Sequence, residues 1–312
     1  MNPTVFAGSA NPALAEAVAS ALGLRLGRRA LQRFPDGELH VELEETVRGH
    51  DVYVIQPTGP PVDEHLMDLL FIADACRRAG AANLTAVVPY LGYARQDRRA
   101  TGRESVAARL VADLIRTGGF RRLVAVDLHS PVLEGFFGIP LEHLSAVPLL
   151  AQAVSPLMPA DGVIVAPDLG AVKLAERYAK LLRLPMAIVH KIRISGEQVQ
   201  VRGVVGEVRG RSPIIVDDMI STGATIEAAL KALLAAGCGS EALVVSSHAL
   251  LVGAAVERLG ALPLNRLIVT DSVALPARLP LPLQVVSLGA LLAEAIKRLH
   301  ESRSLNDLIA HG

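Results

Sequence analysis

Two adjacent carboxylates, Asp217 and Asp218, follow the apolar run Ile214-Ile215-Val216 and lead through Met219-Ile220 into the small-residue turn Ser221-Thr222-Gly223-Ala224-Thr225. The β-branched stretch 213–216 suits a buried strand of a parallel sheet, and 226–236 suits a helix, so the segment between them falls at a carboxyl edge. Backbone N–H groups of residues 222–225 at a helix start, with the Ser and Thr hydroxyls, can hold a phosphate with help from the helix dipole. The acceptor-only carboxylates match the paired donors of a sugar diol and can also orient a magnesium ion. The string therefore reads as a sugar-phosphate site. The same residue types serve as ordinary helix caps, but a cap needs neither paired acids nor a glycine turn.

Other strings offer complementary chemistry. Segment 90–105, YLGYARQDRRATGRES, carries Arg95, Arg98, Arg99 and Arg103 with Gln96 and Asp97. Its guanidinium forks suit polyphosphate oxygens, and Gly92 and Gly102 would let the loop hinge. Composition alone fits a solvated basic loop or a nucleic-acid patch about as well. Phe34, Asp36 and Glu38, in FPDGE, precede the alternating segment 39–43. The Phe can stack on a base and the carboxylates can accept from an exocyclic amine, although a tight turn with a core Phe fits these five residues better. His129, in VDLHS, and Asp168, in APD, each follow a strand-like run, where an imidazole and a carboxylate can join a magnesium shell. Lys191 and Arg193 alternate along an extended segment and would face one side, as cations opposing the charge of a moving phosphoryl group do.

These groups need a frame. In 312 residues, short aliphatic strands (4–6, 52–56, 84–89, 123–127, then 162–166, 186–189, 213–216, 242–247, 266–269) alternate with helices (12–22, 63–79, 104–117, then 171–182, 226–236, 253–259). That alternation predicts α/β layers on a mostly parallel sheet, twice over. The proline-containing stretch 138–160 is the expected join, giving domains at 1–145 and 146–312, with a final helix at 288–300 that is free to pack back on the first. An antiparallel pair is expected at 197–201 and 204–208, turning at Arg202-Gly203.

Hydrophobic residues make up 51% of the chain and aromatics 3%, so the cores are built from Ala, Val, Leu and Ile. Lys plus Arg balances Asp plus Glu at 31 each, which argues against a nucleic-acid or membrane-surface partner. The longest uncharged stretch, 143–160, holds three prolines and makes a poor membrane span. Cys76 and Cys238 have no metal-type spacing, and no signal peptide is evident, so two reduced thiols in a cytoplasmic protein are expected.

Taken in order, FPDGE, GYARQDRR, VDLHS, APD, KIR and VDDMISTGAT resemble the ribose-phosphate pyrophosphokinase family over nearly the whole chain. The resemblance implies two similar type I phosphoribosyltransferase-like domains. It implies ATP contacts at Phe34, Asp36, Glu38, Arg95, Gln96, Asp97 and His129, and ribose 5-phosphate contacts at Asp217, Asp218 and residues 221–225. It further implies catalytic roles for Lys191 and Arg193, and Mg²⁺ at His129 and Asp168. A dimer-based homo-oligomer, with a hexamer as one form, would complete each ATP site from a neighbouring subunit, the two substrates meeting in an interdomain cleft. Many members respond to phosphate and ADP. Ser221 stands where the common bacterial form has Asp, and Gly223-Ala224 reverses the usual order. Leu169 and Ile192 replace a usual glycine and a usual basic residue. The alternatives are a phosphoribosyltransferase consuming the same product and a non-catalytic regulatory homologue.

Overall fold

The computed structural model describes residues 3–193 and 199–309, with only the backbone described for 191–193 and 199–202. The chain divides into two units: Met1–Ser145 with Ser272–Ala274 and Ser287–Gly312, and Ala146–Asp271 with Leu275–Val286.

The first unit runs β1 (Pro3–Ala7), α1 (Pro12–Ala21), β2 (Arg29–Arg33), β3 (Leu39–Leu43), β4 (Asp51–Ile55), α2 (Val62–Arg78), β5 (Asn83–Val88), α3 (Ala107–Thr117), β6 (Arg122–Val126) and β7 (Leu141–Leu144). Five strands form a parallel sheet in the order β1-β4-β5-β6-β7, and β2 and β3 pair antiparallel as a separate hairpin. Helix α1 starts where Asn11 accepts the Leu14 N–H at 3.2 Å and Pro12 takes the first helical position. Leu66, Leu69, Ile72, Ala73 and Cys76 recur at helical spacing on α2 and are buried. They pack in one core with Val52, Val54, Val111, Ile115 and Phe6, and each large aliphatic chain so buried contributes about 1.5–3 kcal/mol.

The second unit runs α4 (Val147–Val154), β8 (Gly162–Ala166), α5 (Val172–Leu182), β9 (Met186–Arg193), β10 (Val199–Val205), β11 (Ser212–Ile220), α6 (Ala224–Ala235), β12 (Ala242–Ala249), α7 (Ala255–Gly260), β13 (Leu264–Thr270) and β14 (Leu283–Val286). Its sheet has the order β10-β9-β8-β11-β12-β13-β14, parallel except for the β9-β10 pair. The β-branched runs in β8, β11 and β12 are buried because helices cover a parallel sheet on its faces. The last helix, α8 (Gly289–His300), belongs to the first unit, where a Cβ on Gly289 would lie 3.0 Å from the Ala17 Cβ of α1.

Segment 138–160 contains β7 and α4, with Pro148 in the first turn of the helix, where no N–H is needed, and the division between the units falls within it. One expectation changes. The pair expected at 197–201 and 204–208 is replaced by one strand, β10, which passes through Gly203 with a register shift and pairs with β9. Residues 197 and 198 of that expectation lie outside the described residues. Among the described residues no helix is long and apolar enough to cross a membrane.

Candidate active site

In the second sheet the chain starts at β8, moves to β9 on one side, then returns to β11 on the other. Connections diverge there, and open α/β sheets bind ligands outside the carboxyl ends of the strands at such a switch point. Strand β11 pairs with β8 only as far as Ile215–Val165, then continues to Ile220 against β12. Asp217 and Asp218 therefore stand on the strand itself, with Asp217 in register with Ser246, and not in the loop where the sequence puts them.

Asp168 caps the short turn 169–171 after β8, its Oδ1 accepting the N–H groups of Gly170 at 2.9 Å and Ala171 at 3.2 Å. Burial first, and then the charges of Asp218 and Asp168, push the Asp217 carboxyl well above the usual carboxylate range. The Asp218 N–H donates to Asp217 Oδ1 at 3.0 Å, opposing that shift. Three acids thus share the switch point, a setting that favours a bound cation or a hydroxyl donor. Among the described residues, no three His, Cys, Asp or Glu side chains are grouped to hold a metal by themselves.

The turn after β11 is shaped for an anion. Gly223 has φ +75° and is the N-cap of α6, with no side chain capping it. The first N–H groups of such a helix have no partner within it, and Ser221, Thr222, Ala224 and Thr225 flank that N-cap in sequence. A Cβ on Gly223 would meet Leu259 Cγ at 3.3 Å, so α7 packs directly under the turn. Val252 N–H donates to the Ser221 carbonyl at 3.0 Å, and Arg258 of α7 donates to the Thr222 carbonyl. Arg258 lies outside every motif and was not expected here; no local signal marks a residue 36 positions from its partner.

Strand β9 carries Lys191 and Arg193 past the end of its pairing with β8, which stops at Ala166–Ile188. Their backbone is on the carboxyl side of the switch point, while their side chains lie outside the described residues.

In the first unit, Phe34, Asp36 and Glu38 occupy the tip of the β2-β3 hairpin. Gly37 adopts φ +93°, Gly37 N–H donates to the Phe34 carbonyl at 2.8 Å, and the Asp36 carboxylate accepts the Glu38 N–H at 3.1 Å. The tight turn is there, but Phe34 is 51% exposed and is no core residue. It lies 5.6 Å from the His40 ring, leaving an aromatic surface for stacking. Arg33 fixes the tip by donating to the Gly37 carbonyl at 3.0 Å and to Glu64 of α2 at 2.9 Å.

Arg95, Gln96 and Asp97 follow β5, and His129 follows β6, so both loops rise from the carboxyl edge of the first sheet. Arg95, Gln96 and His129 are exposed. At Gly92 a Cβ would lie 2.5 Å from the Thr58 carbonyl oxygen, so its lack of a side chain is a packing requirement. The loop is braced by Glu104, which accepts the N–H groups of Ala100 at 2.7 Å and Thr101 at 3.0 Å, bonds that hold its pKa below the ordinary glutamate value. Before His129 the backbone makes a sharp turn, with Asp127 at φ +38° and its carboxylate accepting the Ser145 hydroxyl at 3.0 Å. His143 accepts the Leu128 N–H at 2.8 Å. Sequence reading missed Ser145 and His143, which act only through the fold.

Both units match known proteins. Residues 3–119 match the family model described as the N-terminal domain of ribose phosphate pyrophosphokinase, and residues 156–255 match the phosphoribosyl transferase domain. The ribose-phosphate pyrophosphokinase of Gloeobacter violaceus is 45% identical over 97% of this chain and 92% of its own length. That of Staphylococcus saprophyticus is 44% identical over 97% and 96%. A crystal structure of phosphoribosylpyrophosphate synthetase from Mycobacterium smegmatis superposes with a TM-score of 0.91 at 38% identity, covering 97% of this chain and all of that one. With two type I phosphoribosyltransferase-like units and relatives matched along almost its full length, the chain belongs to the ribose-phosphate pyrophosphokinase family of enzymes.

Proposed function

We propose that the chain transfers diphosphate from magnesium-bound ATP to ribose 5-phosphate in the cytoplasm, forming 5-phosphoribosyl 1-diphosphate and AMP. The anomeric oxygen attacks the β-phosphorus, the bond from that phosphorus to the α,β-bridging oxygen breaks, and AMP leaves with the electron pair as the hydroxyl proton passes to solvent. The observation that carries this reading is the acidic trio Asp168, Asp217 and Asp218 beside the phosphate-type turn at the sheet's switch point.

Ser221, Thr222, Gly223, Ala224 and Thr225 hold the 5-phosphate, and Asp217 and Asp218 accept from the ribose hydroxyls. Fixing the attacking oxygen in this way lowers the barrier by several kcal/mol, with a limit of roughly 7–11. Arg95, Gln96, Asp97 and His129 hold the nucleotide phosphates and ribose. Phe34, Asp36 and Glu38, exposed on their hairpin, receive the adenine of ATP bound to a neighbouring copy, which makes the working form a dimer-based homo-oligomer. Lys191 and Arg193 oppose the charge on the transferred group. Mg²⁺ contacts are assigned to His129 and Asp168; when bound, the ion neutralises phosphate oxygens.

The test is product analysis after mixing protein, ribose 5-phosphate, ATP and Mg²⁺. AMP formed in step with the sugar diphosphate supports the reading. ADP would mean a γ-phosphoryl kinase, diphosphate release dependent on a free base would mean a phosphoribosyltransferase, and no turnover would mean a regulatory homologue.

A further inference from the structure

The first turn of α6 carries an acid, Glu227, at the helix end that the proposed function assigns to the 5-phosphate. In an ordinary helix this placement is favourable, because a carboxylate complements the positive end of the dipole. Next to a bound phosphate dianion it is not: the acid competes for the same dipole and repels the ligand. Both Glu227 oxygens are paired, Oε1 with Lys231 Nζ at 2.7 Å and Oε2 with Arg258 Nε at 2.9 Å. Lys231 is one turn further along α6 and 68% exposed, so its pair is a solvent-screened surface contact. Arg258 comes from α7, is 30% exposed, and reaches the turn itself through its bond to the Thr222 carbonyl. Leu259, next to it, supports Gly223 from below.

We infer that Arg258 is a positioning residue of the phosphate turn: it holds the Thr222 carbonyl back so that the N–H groups face the ligand, and it cancels the charge of Glu227. This rests on the reading of residues 221–225 as the 5-phosphate site. Removing the arginine leaves the carboxylate to act on the anion, so the cost falls on ribose 5-phosphate and not on ATP.

The experiment compares the wild type with Arg258→Met, Arg258→Lys, Glu227→Gln and the double variant Arg258→Met/Glu227→Gln, all full length. KM for each substrate is measured from AMP formation, and ribose 5-phosphate binding is titrated calorimetrically. Arg258→Met should weaken ribose 5-phosphate by about tenfold or more in KM and Kd, as expected for a lost charged hydrogen bond, and leave the KM for ATP within about twofold. Glu227→Gln added to it should restore the part of that loss due to the unpaired carboxylate. An Arg258→Met protein that binds as well as the wild type, or a double variant that recovers nothing, overturns the inference. Should Arg258→Met fail to fold, Arg258→Lys carries the test: an unchanged Kd overturns the inference and an intermediate loss supports it. A wild type that binds ribose 5-phosphate but releases no AMP sinks the proposed reaction while leaving Arg258 to be judged on Kd. A wild type that does not bind it sinks both.

Discussion

His143 Nε2 accepts the backbone N–H of Leu128 at 2.8 Å, which leaves Nδ1 to carry the proton toward Glu134 Oε1 at 3.2 Å. This imidazole helps to hold the turn that presents His129, together with the Ser145–Asp127 bond. Replacing it with Phe would strand a buried amide, at a cost of about 1–3 kcal/mol. His143→Phe should lower the urea midpoint accordingly and reduce turnover; an unchanged midpoint would show that the turn does not depend on His143.

Asp217→Asn should stabilise the ligand-free protein while abolishing ribose 5-phosphate binding. The folded state raises the pKa of Asp217, so its favourable contribution is complete below the unfolded value near ~3.9 and is lost as pH rises through the folded one. At neutral pH the amide removes that penalty, and a rise in Tm of about 2–4 °C is expected, the shift that ~1 kcal/mol produces in a domain of this size. The gain should vanish at pH 3, and a variant less stable than wild type at neutral pH would contradict the assignment.

Gly223→Ala places a side chain at φ +75° and brings it to 3.3 Å from Leu259. The backbone strain costs roughly 1–2 kcal/mol, and any relief moves the N–H groups away from the phosphate. Thermal unfolding and KM for ribose 5-phosphate should both worsen, whereas a neutral result in both would mean that the turn tolerates another geometry.

Lys191→Ala should lower kcat by a hundredfold or more, about 3–4 kcal/mol, the range for losing a group that meets charge developing in the transition state. Pre-steady-state measurement of AMP release separates this from slow product loss. A rate close to wild type would take Lys191 off the catalytic list.

The two thiols should differ in reactivity. Burial pushes Cys76 up to about 12, and raises Cys238 above the ordinary thiol value as well, but Cys238 is only partly buried. Because the thiolate is the nucleophile, a chromogenic disulfide reagent at pH 8 should label Cys238 slowly and Cys76 only after denaturation. Rapid modification of both in the native protein would contradict the burial of α2.

The α/β class follows from the sequence because strand and helix periodicities are local: alternating aliphatic runs and amphipathic stretches need no partner to be read. The sugar-phosphate reading of 217–225 is local in the same sense, since acids, glycine and hydroxyls adjoin in one string. Tertiary structure decided what depends on residues far apart. It extended β11 through Asp217 and Asp218, because β12 offers pairing beyond the point where β8 ends. It brought Asp168 to the acidic pair through the order of strands, which no spacing encodes. It set Gly92 against the Thr58 carbonyl and merged an expected hairpin into β10. It also set Arg258 on the Thr222 carbonyl and His143 on the Leu128 N–H, bonds spanning 36 and 15 positions that no local string encodes.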